Sequence, residues 1–536
     1  MQPEPPAYPQ IVTSHRIVPN VHPIIPPGPS RIALVGEAPG EVEENYGVPF
    51  LGPSGQLLDI ILRDVGIDRR RCFVGNVCQV RPPGNDISRF EWDGEHIQTG
   101  LGQLRSDLQQ FQPNICVLLG GAALRAAGQL GKITEWRGSL FESTQLTGTI
   151  QKCIPTLHPA GVLREYSGYP LLKFDLSRAA RESTTSTLSL PVRELLTSLD
   201  AGTLCAVMDL WPDGQRCSLD IEGGLGGWPC VSICATPTRS ITIAWGKFNE
   251  FDHCLVLQSF ARLMGRVGIP KVLQNSLYDN FVLSYGFGIP IRGVVEDTML
   301  KGWEVYCELP KGLGTQASIW TREPFYKAER KSTDSETYFK YCAKDSAVTL
   351  ELCEAQDNVL HKPDNKLSLQ HYRANVEMLN PLHFMEQRGI RYDQEKATTR
   401  LKEVKETGWE TIEYEKPVWH EPICKVAEQL NAVAKTELRG EKGSLSAKRL
   451  ATALYTTLGY PPQFKKEFGR REDKVTTDIE AILNLKRKLP SDEFLSGILA
   501  HRHLEGLLET LQIKPDPDGR VRCGYNVVGT ETGRLT

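Results

Sequence analysis

A multidomain α/β chain is the fold class that this sequence predicts, on three observations. Short apolar runs alternate with helical periods from Arg31 to about Glu182, and the same alternation resumes near Cys205. After Asn365 the pattern turns helical and charged. The length, 536 residues, suits roughly three or four domains rather than one.

Residues 1–30 are proline-rich, end in IIPPGPS and read as a flexible arm or extended strap. Residues 31–182 form the first α/β unit. RIALVG, CFVGNV, NICVLLGG and KCIPTLH read as buried parallel strands, with GQLLDIILRDVG and GQLRSDLQQFQ at helical spacing between them. The polar stretch RESTTSTLSLP suits a linker over 183–204. Residues 205–365 form a second α/β unit, with RCSLDIEG, CVSICAT and SITIAW as strands. Residues 366–536 are expected to be mainly α, and QHYRANVEMLNPLHFMEQRGI is the clearest amphipathic helix.

Composition excludes some classes. Apolar content of 40% and charge of 24% are ordinary for a globular protein. No run approaches the roughly 18 apolar residues of a membrane span, so no membrane partner is expected. The N-terminus MQPEPPAYPQ lacks the basic and apolar segments of a secretion signal. The 14 cysteines are scattered without a C-x-x-C pair, which suits reduced thiols and a cytoplasmic location. The net charge of −3 does not exclude DNA, because phosphate binding needs a local patch. Lys435–Lys488 is such a stretch, with 13 Lys+Arg against 7 Asp+Glu, although a solvated helical face reads the same way.

Three short motifs carry chemistry in the second unit. Asp220-Ile221-Glu222 ends a strand, and alternation sets both carboxylates on one face. NSLYD sets Asn275 and Asp279 four apart, and YCAKD does the same for Tyr341 and Asp345, each pair on one helical face. Converging carboxylates need cations, and hard Mg²⁺ or Mn²⁺ suits oxygen ligands. Two such ions roughly 3.5–4 Å apart can activate water and stabilise a leaving 3′ oxygen. Tyr341 is then the group to orient or help deprotonate that water. In this order the motifs resemble the 3′–5′ proofreading exonuclease domain of family A DNA polymerases. EDTML around Asp297 and LGTQASIWTREPFYK resemble phage-type members. The resemblance implies an RNase H-like fold of the DEDDy class, with Asp220, Glu222, Asp279 and Asp345 as metal ligands and Asn275 contacting DNA.

LNPLHFMEQRGIRYD resembles the opening helix of the polymerase region, and SLSAKRLATALYTTLGYPP with KVTTDIEAILNLKRK resembles its thumb. The basic excess falls there, which favours phosphate binding over a solvated face. The end, TGRLT, resembles the segment leading into the palm and makes Arg534 a DNA-binding candidate. No residue corresponds to palm or fingers. The chain therefore reads as truncated, split or interrupted, with the remainder of a polymerase as a partner, and is not expected to polymerise alone.

In the first unit, GEAPGEVEENYGVPFLGPSGQLL, NVCQVRPPG and LHPAGVLR follow in order. Together they resemble the family 4 uracil-DNA glycosylases and imply the parts base excision needs. Phe50 would stack on a flipped base. Asn76 would pair with the uracil edge, and His158 would donate to charge growing on the departing base. Glu37 and Glu43 are the acidic candidates, with Glu43 preferred for positioning water. That family usually carries an iron–sulfur cluster on four cysteines. Residues 1–71 hold none and Val80 precedes Arg81, so no cluster is expected, and packing on the exonuclease is one way the unit could be stabilised instead.

The leading expectation is a replication and repair protein acting on single-stranded 3′ ends, primer–template and uracil-containing DNA. One alternative is a non-catalytic uracil reader that stalls synthesis at template uracil. The other is a stand-alone DEDDy nuclease of the RNase D type.

Overall fold

The structure, a computed structural model, describes residues 16–413, 416–440, 444–467 and 470–536. The chain divides into two compact units, one of Met1–Phe384 with Gly524–Thr536 and one of Met385–Cys523. The first is a mixed α/β assembly built on two sheets.

The first sheet has the order Phe73–Asn76, Ile32–Gly36, Ile115–Leu119, Gln151–Thr156, Phe141–Ser143, with only the last strand antiparallel. Its central strands bury both faces, which is why they read as apolar runs. Ile32, Leu34, Ile115 and Val117 point to the side covered by helices Pro53–Asp64 and Tyr169–Glu182. Ala33, Val35, Cys116 and Leu118 point to the side covered by Glu95–Phe111. The edge strand Phe141–Ser143 gave no sequence signal, being three residues long.

From Arg16 to Ser30 the proline-rich segment is bound and not free. Val18 donates to Gln79 O (2.8 Å), Val21 and Val74 exchange both backbone hydrogen bonds, and Val18 is buried. The segment is thus an extended strap along the sheet edge. Residues 1–15 of the expected arm lie outside the described residues.

The second sheet runs Val295–Asp297, Lys271–Leu273, Cys217–Gly224, Gly227–Thr236, Arg239–Ala244, Glu194–Leu196. Glu194–Leu196 pairs parallel with the 239–244 strand. The connector between the units is therefore shorter than the 183–204 read from composition, and helix Ala201–Asp209 already packs on this sheet. On the other face lies the 26-residue helix Ser335–Leu360. Sheet hydroxyls fasten it: Ser232 Oγ donates to Cys342 O (2.7 Å) and Thr242 Oγ1 to Phe339 O (2.8 Å).

The two sheets share a buried junction. Arg137, 3% exposed, is paired with the buried Asp175 and donates to Ser318 Oγ (2.8 Å). Arg178 donates to the carbonyls of Gly138, Ile319 and Thr321. Trp136 meets Phe325 and Phe174 meets Tyr306.

Gly524–Thr536 also belongs to this unit, with Trp303 Nε1 donating to Thr530 O (3.0 Å). The second compact unit is mainly helical. Ile423–Ala434, Ile479–Lys488 and Glu493–Leu511 gather Leu430, Ile482, Leu485, Leu495 and Ile498 into one core. Part of the basic stretch, side chains 466–474 and residues 441–443, lies outside the described residues. Among the described residues, no helix is long and apolar enough to cross a membrane.

Candidate active sites

Parallel strands deliver their C-terminal ends to one crevice, the usual ligand position in an open α/β sheet. Four of these ends meet here. Glu37 follows Ile32–Gly36, Asn76 ends its strand, Gly120 follows Ile115–Leu119, and His158 follows Gln151–Thr156. Glu37, Asn76 and His158 line a cleft of about 520 Å³ with Glu43, Phe50, Ser54, Asp86 and Arg164.

Phe50 takes a left-handed backbone (φ 54°), and its ring stacks on His158 at 5.8 Å. Several groups hold it. Arg69 donates to the carbonyls of Phe50 (2.9 Å) and Pro49 (2.7 Å). The Glu43 carboxylate accepts from the backbone N–H of Gly40 (3.1 Å), Leu51 (3.1 Å) and Gly52 (2.8 Å). Glu43 therefore shapes the Phe50 loop, and Glu37 is left as the half-buried carboxyl on the cleft wall. Burial and nearby Asp86 raise the Glu37 pKa, against the lowering effect of Arg164. A G-x-x-E capping pattern was the signal that could have found the Glu43 role.

Asn76 is 3% exposed, and its side-chain amide makes no hydrogen bond among the described residues, leaving it to the cleft. Its backbone N–H donates to Asn20 Oδ1 of the strap (3.2 Å). His158 caps the helix Pro159–Arg164, Nδ1 accepting from Ala160 N–H (3.1 Å). With Nδ1 as acceptor, the neutral ring carries its proton on Nε2. Burial and Arg164 push its pKa down to about 4, so this neutral donor persists at physiological pH.

The second site lies on the second sheet. Asp220 and Glu222 share a face of Cys217–Gly224, opposite Ser232 and Cys230 in register. Helix Ser335–Leu360 brings Asp345 to them, and one ligand oxygen from each of Asp220, Glu222 and Asp345 lies within 4.8 Å of the others. Asp279, 6% exposed, contributes its charge to the cluster without joining that trio.

Crowding shows in the titration. Burial, then Asp345, Asp279 and Glu222, hold Asp220 well above the usual carboxylate range, and Asp220 Oδ2 is buried with no hydrogen-bond partner among the described residues. Asp279 is pushed to about 8 by burial and Asp297. Glu222 is raised by burial, with Arg330 opposing. Such a set of oxygen donors fits a hard divalent cation.

Tyr341 is buried at 2% exposure. Burial and Asp345 raise its pKa, so the phenol stays protonated and can orient a water without acting as its base. Lys327 and Tyr326 were missed by sequence reasoning, although they end the singled-out stretch LGTQASIWTREPFYK. Lys327 Nζ donates to both oxygens of Asp345 (2.6 and 2.7 Å) and to Tyr341 Oη (3.1 Å). Tyr326 Oη donates to Asp345 Oδ1 (2.5 Å).

Asn275 is exposed, in a left-handed conformation (φ 63°), with its backbone N–H on Asp297. Asp297 was also missed as a keystone: it accepts from Ser276 N–H (2.7 Å) and caps the helix Thr298–Val305. Arg534 is exposed in the C-terminal segment and is not brought to either site's set of lining residues. A second acidic cluster, Glu296–Cys353–Asp357, is charge-balanced by Lys301 and Arg216 and reads as structural.

A family model described as the uracil DNA glycosylase superfamily matches residues 22–182. A type-4 uracil-DNA glycosylase of Thermotoga maritima is 38% identical over 141 residues, covering 26% of this chain and 69% of that protein. DNA polymerase I of Synechocystis is 26% identical over 299 residues, covering 53% of this chain and 27% of the polymerase. Among solved structures, the POL domain of Pol1 from M. smegmatis, in complex with DNA primer-template and dNTP, is 21% identical with a TM-score of 0.46. That match covers 64% of this chain and 54% of the other.

Proposed function

This chain belongs, through residues 22–182, to the uracil-DNA glycosylase superfamily, and from that premise we propose that it is a DNA-processing protein with two active sites. The first takes uracil out of DNA. The second removes 3′-terminal nucleotides with divalent metal, in an RNase H-like DEDDy domain ahead of a thumb-like helical region. The observation that carries the reading is the convergence of Glu37, Phe50, Asn76 and His158 on one cleft.

A flipped uracil would stack on Phe50 and present its edge to the Asn76 amide, which both donates and accepts. Nε2–H of neutral His158 would donate to the uracil oxygen where charge grows as the glycosidic bond breaks. Glu37 would hold the attacking water. A second reading is supported by the Glu43 geometry: with that carboxylate given to three backbone amides, the cleft could bind uracil without hydrolysis.

At the exonuclease site Asp220, Glu222 and Asp345, with Asp279, would hold Mg²⁺ or Mn²⁺. The ions supply Lewis acidity and neutralising charge. The orphaned Asp220 Oδ2 and the raised carboxyl pKa values support that fit. Tyr341 orients the water, and exposed Asn275 contacts the strand. The DNA partners are uracil-containing strands, single-stranded 3′ ends and primer–template.

A gel on a 5′-labelled single strand with one internal uracil tests both sites. A 3′ ladder that needs Mg²⁺ and is lost in Asp220→Ala supports the nuclease, and its absence under any metal overturns it. Alkali-labile breakage at uracil in EDTA supports excision; tight uracil-DNA binding without breakage supports the reader.

A further inference from the structure

Two cations reach the exonuclease carboxylates from one short segment, Tyr326–Arg330. Lys327 Nζ lies on both oxygens of Asp345, and Arg330 Nε lies 3.4 Å from Glu222 Oε2. The segment is anchored at both ends of this reach. Tyr326, 4% exposed, donates to Asp345, and Glu329 is paired with Lys344 at 2.6 Å. Exposure separates the partners: the side chains of Asp345 and Glu222 are 3% and 5% exposed, those of Lys327 and Arg330 26% and 64%. The cations therefore stand on the solvent side, where an incoming strand must pass.

We propose that Lys327 and Arg330 are phosphate ligands for the 3′ end of the substrate strand, an inference that rests on the exonuclease reading. Four carboxylates, once ionised to hold metal, carry a charge of −4 that would repel a polyanion. Two divalent cations balance them, and the attraction that holds Lys327 and Arg330 to Asp345 and Glu222 then weakens. Both side chains keep their charge and their long stems, and phosphodiester oxygens become their best acceptors. Arg330, with its planar fork, suits a phosphate bidentately, and Lys327 suits it as a point charge. Lys327 would take the phosphate nearest Tyr341, and Arg330 its neighbour.

The test uses the full chain with Ca²⁺ as the divalent ion and a single strand carrying 2-aminopurine at its 3′ terminus. Its fluorescence reports the end entering the site, apart from DNA bound elsewhere, and titrations at several salt concentrations give the slope. Lys327→Gln and Arg330→Gln should each weaken 3′-end binding about tenfold and flatten the log–log salt slope by about 0.7. Lys327→Arg should keep the slope. Unchanged affinity and slope in both Gln variants overturn the proposal. So does a Lys327→Gln protein that binds Ca²⁺ more tightly and DNA as before, the mark of a mere counter-ion. Arg330 is exposed, so its variant remains informative if Lys327→Gln fails to fold. A wild type that neither digests nor gives the 3′-terminal signal sinks the exonuclease reading itself. A wild type that digests while the variants bind normally sinks only this inference.

Discussion

Replacing Gly36 with alanine should disable the uracil cleft while leaving the rest of the molecule standing. A Cβ on Gly36 would sit 2.4 Å from Phe50 Cζ and 2.5 Å from Asn76 Oδ1. Carbon atoms prefer roughly 3.5–4.0 Å, so the ring must withdraw by about 1 Å. Its backbone cannot follow. Arg69 grips the Phe50 carbonyl, and a Cβ-free Gly55 already lies beneath it. The ring must therefore swing into the space the base would use, and the Asn76 amide turns with it. Base–aromatic stacking is worth about 1–3 kcal/mol, and a misaligned base-edge contact a similar amount. Uracil-DNA binding or excision should thus fall about 100-fold. Stability should fall only by the cost of overpacking, about 1–3 kcal/mol. The assay pairs uracil release or anisotropy binding with a thermal melt, and Mg²⁺-dependent 3′ digestion serves as the internal control. A Gly36→Ala protein that handles uracil within about threefold of wild type would refute the claim that this glycine exists for the close approach of two side chains.

Arg137→Met leaves Asp175 buried and unpaired, and should cost about 3–5 kcal/mol by chemical denaturation; Arg137→Met with Asp175→Leu should regain most of it, and no regain contradicts the ion-pair account. Asp220 has a raised carboxyl pKa, so above the unfolded value its ionisation favours the unfolded state. Asp220→Asn should therefore raise Tm in EDTA at neutral pH while losing Mg²⁺-dependent digestion, and a lower Tm would speak against the crowding described. For His158 the sign is opposite in origin: the folded ring stays neutral down to about pH 4, while the unfolded ring gains a proton near 6.5. Stability should drop between those values by about 2 kcal/mol once solvent screening of this half-buried ring is allowed for. His158→Asn should lack that component in urea titrations, and equal acid sensitivity of both proteins would count against it.

Strand–helix alternation was legible because the central strands are buried on both faces, as with Ile32–Gly36 and Ile115–Leu119. The spacing of Asp220 with Glu222 and of Tyr341 with Asp345 gave their shared faces, since period and spacing are local properties. What stayed hidden depends on partners far along the chain. Asp345 meets Lys327 and Tyr326 through an irregular segment with no period to read. Glu43 reads as a water-positioning carboxylate beside a glycine turn, and only the fold reveals the backbone amides of Leu51 and Gly52 at its oxygens. The strap was ambiguous because proline-rich sequence fits both a free arm and an edge-bound strand; Val18 and Val21, paired to the sheet, show which applies from Arg16 on.

The junction at Arg137 and Arg178 bears on how such a chain can be rearranged. Composition suggests a bead on a string, with a cut point in the Ser/Thr-rich connector. Yet that connector is itself held, Arg322 donating to Ser189 O (3.0 Å) and Lys152 to Thr187 O (3.3 Å). A protease nicking it would leave two pieces still clasped. A recombination event bringing in a foreign glycosylase module there would strand Ser318, Ile319 and Thr321 without their arginines. The smallest exchangeable cassette is therefore larger than the module its sequence outlines, and must carry the stretch from Ser318 to Phe325 along with it.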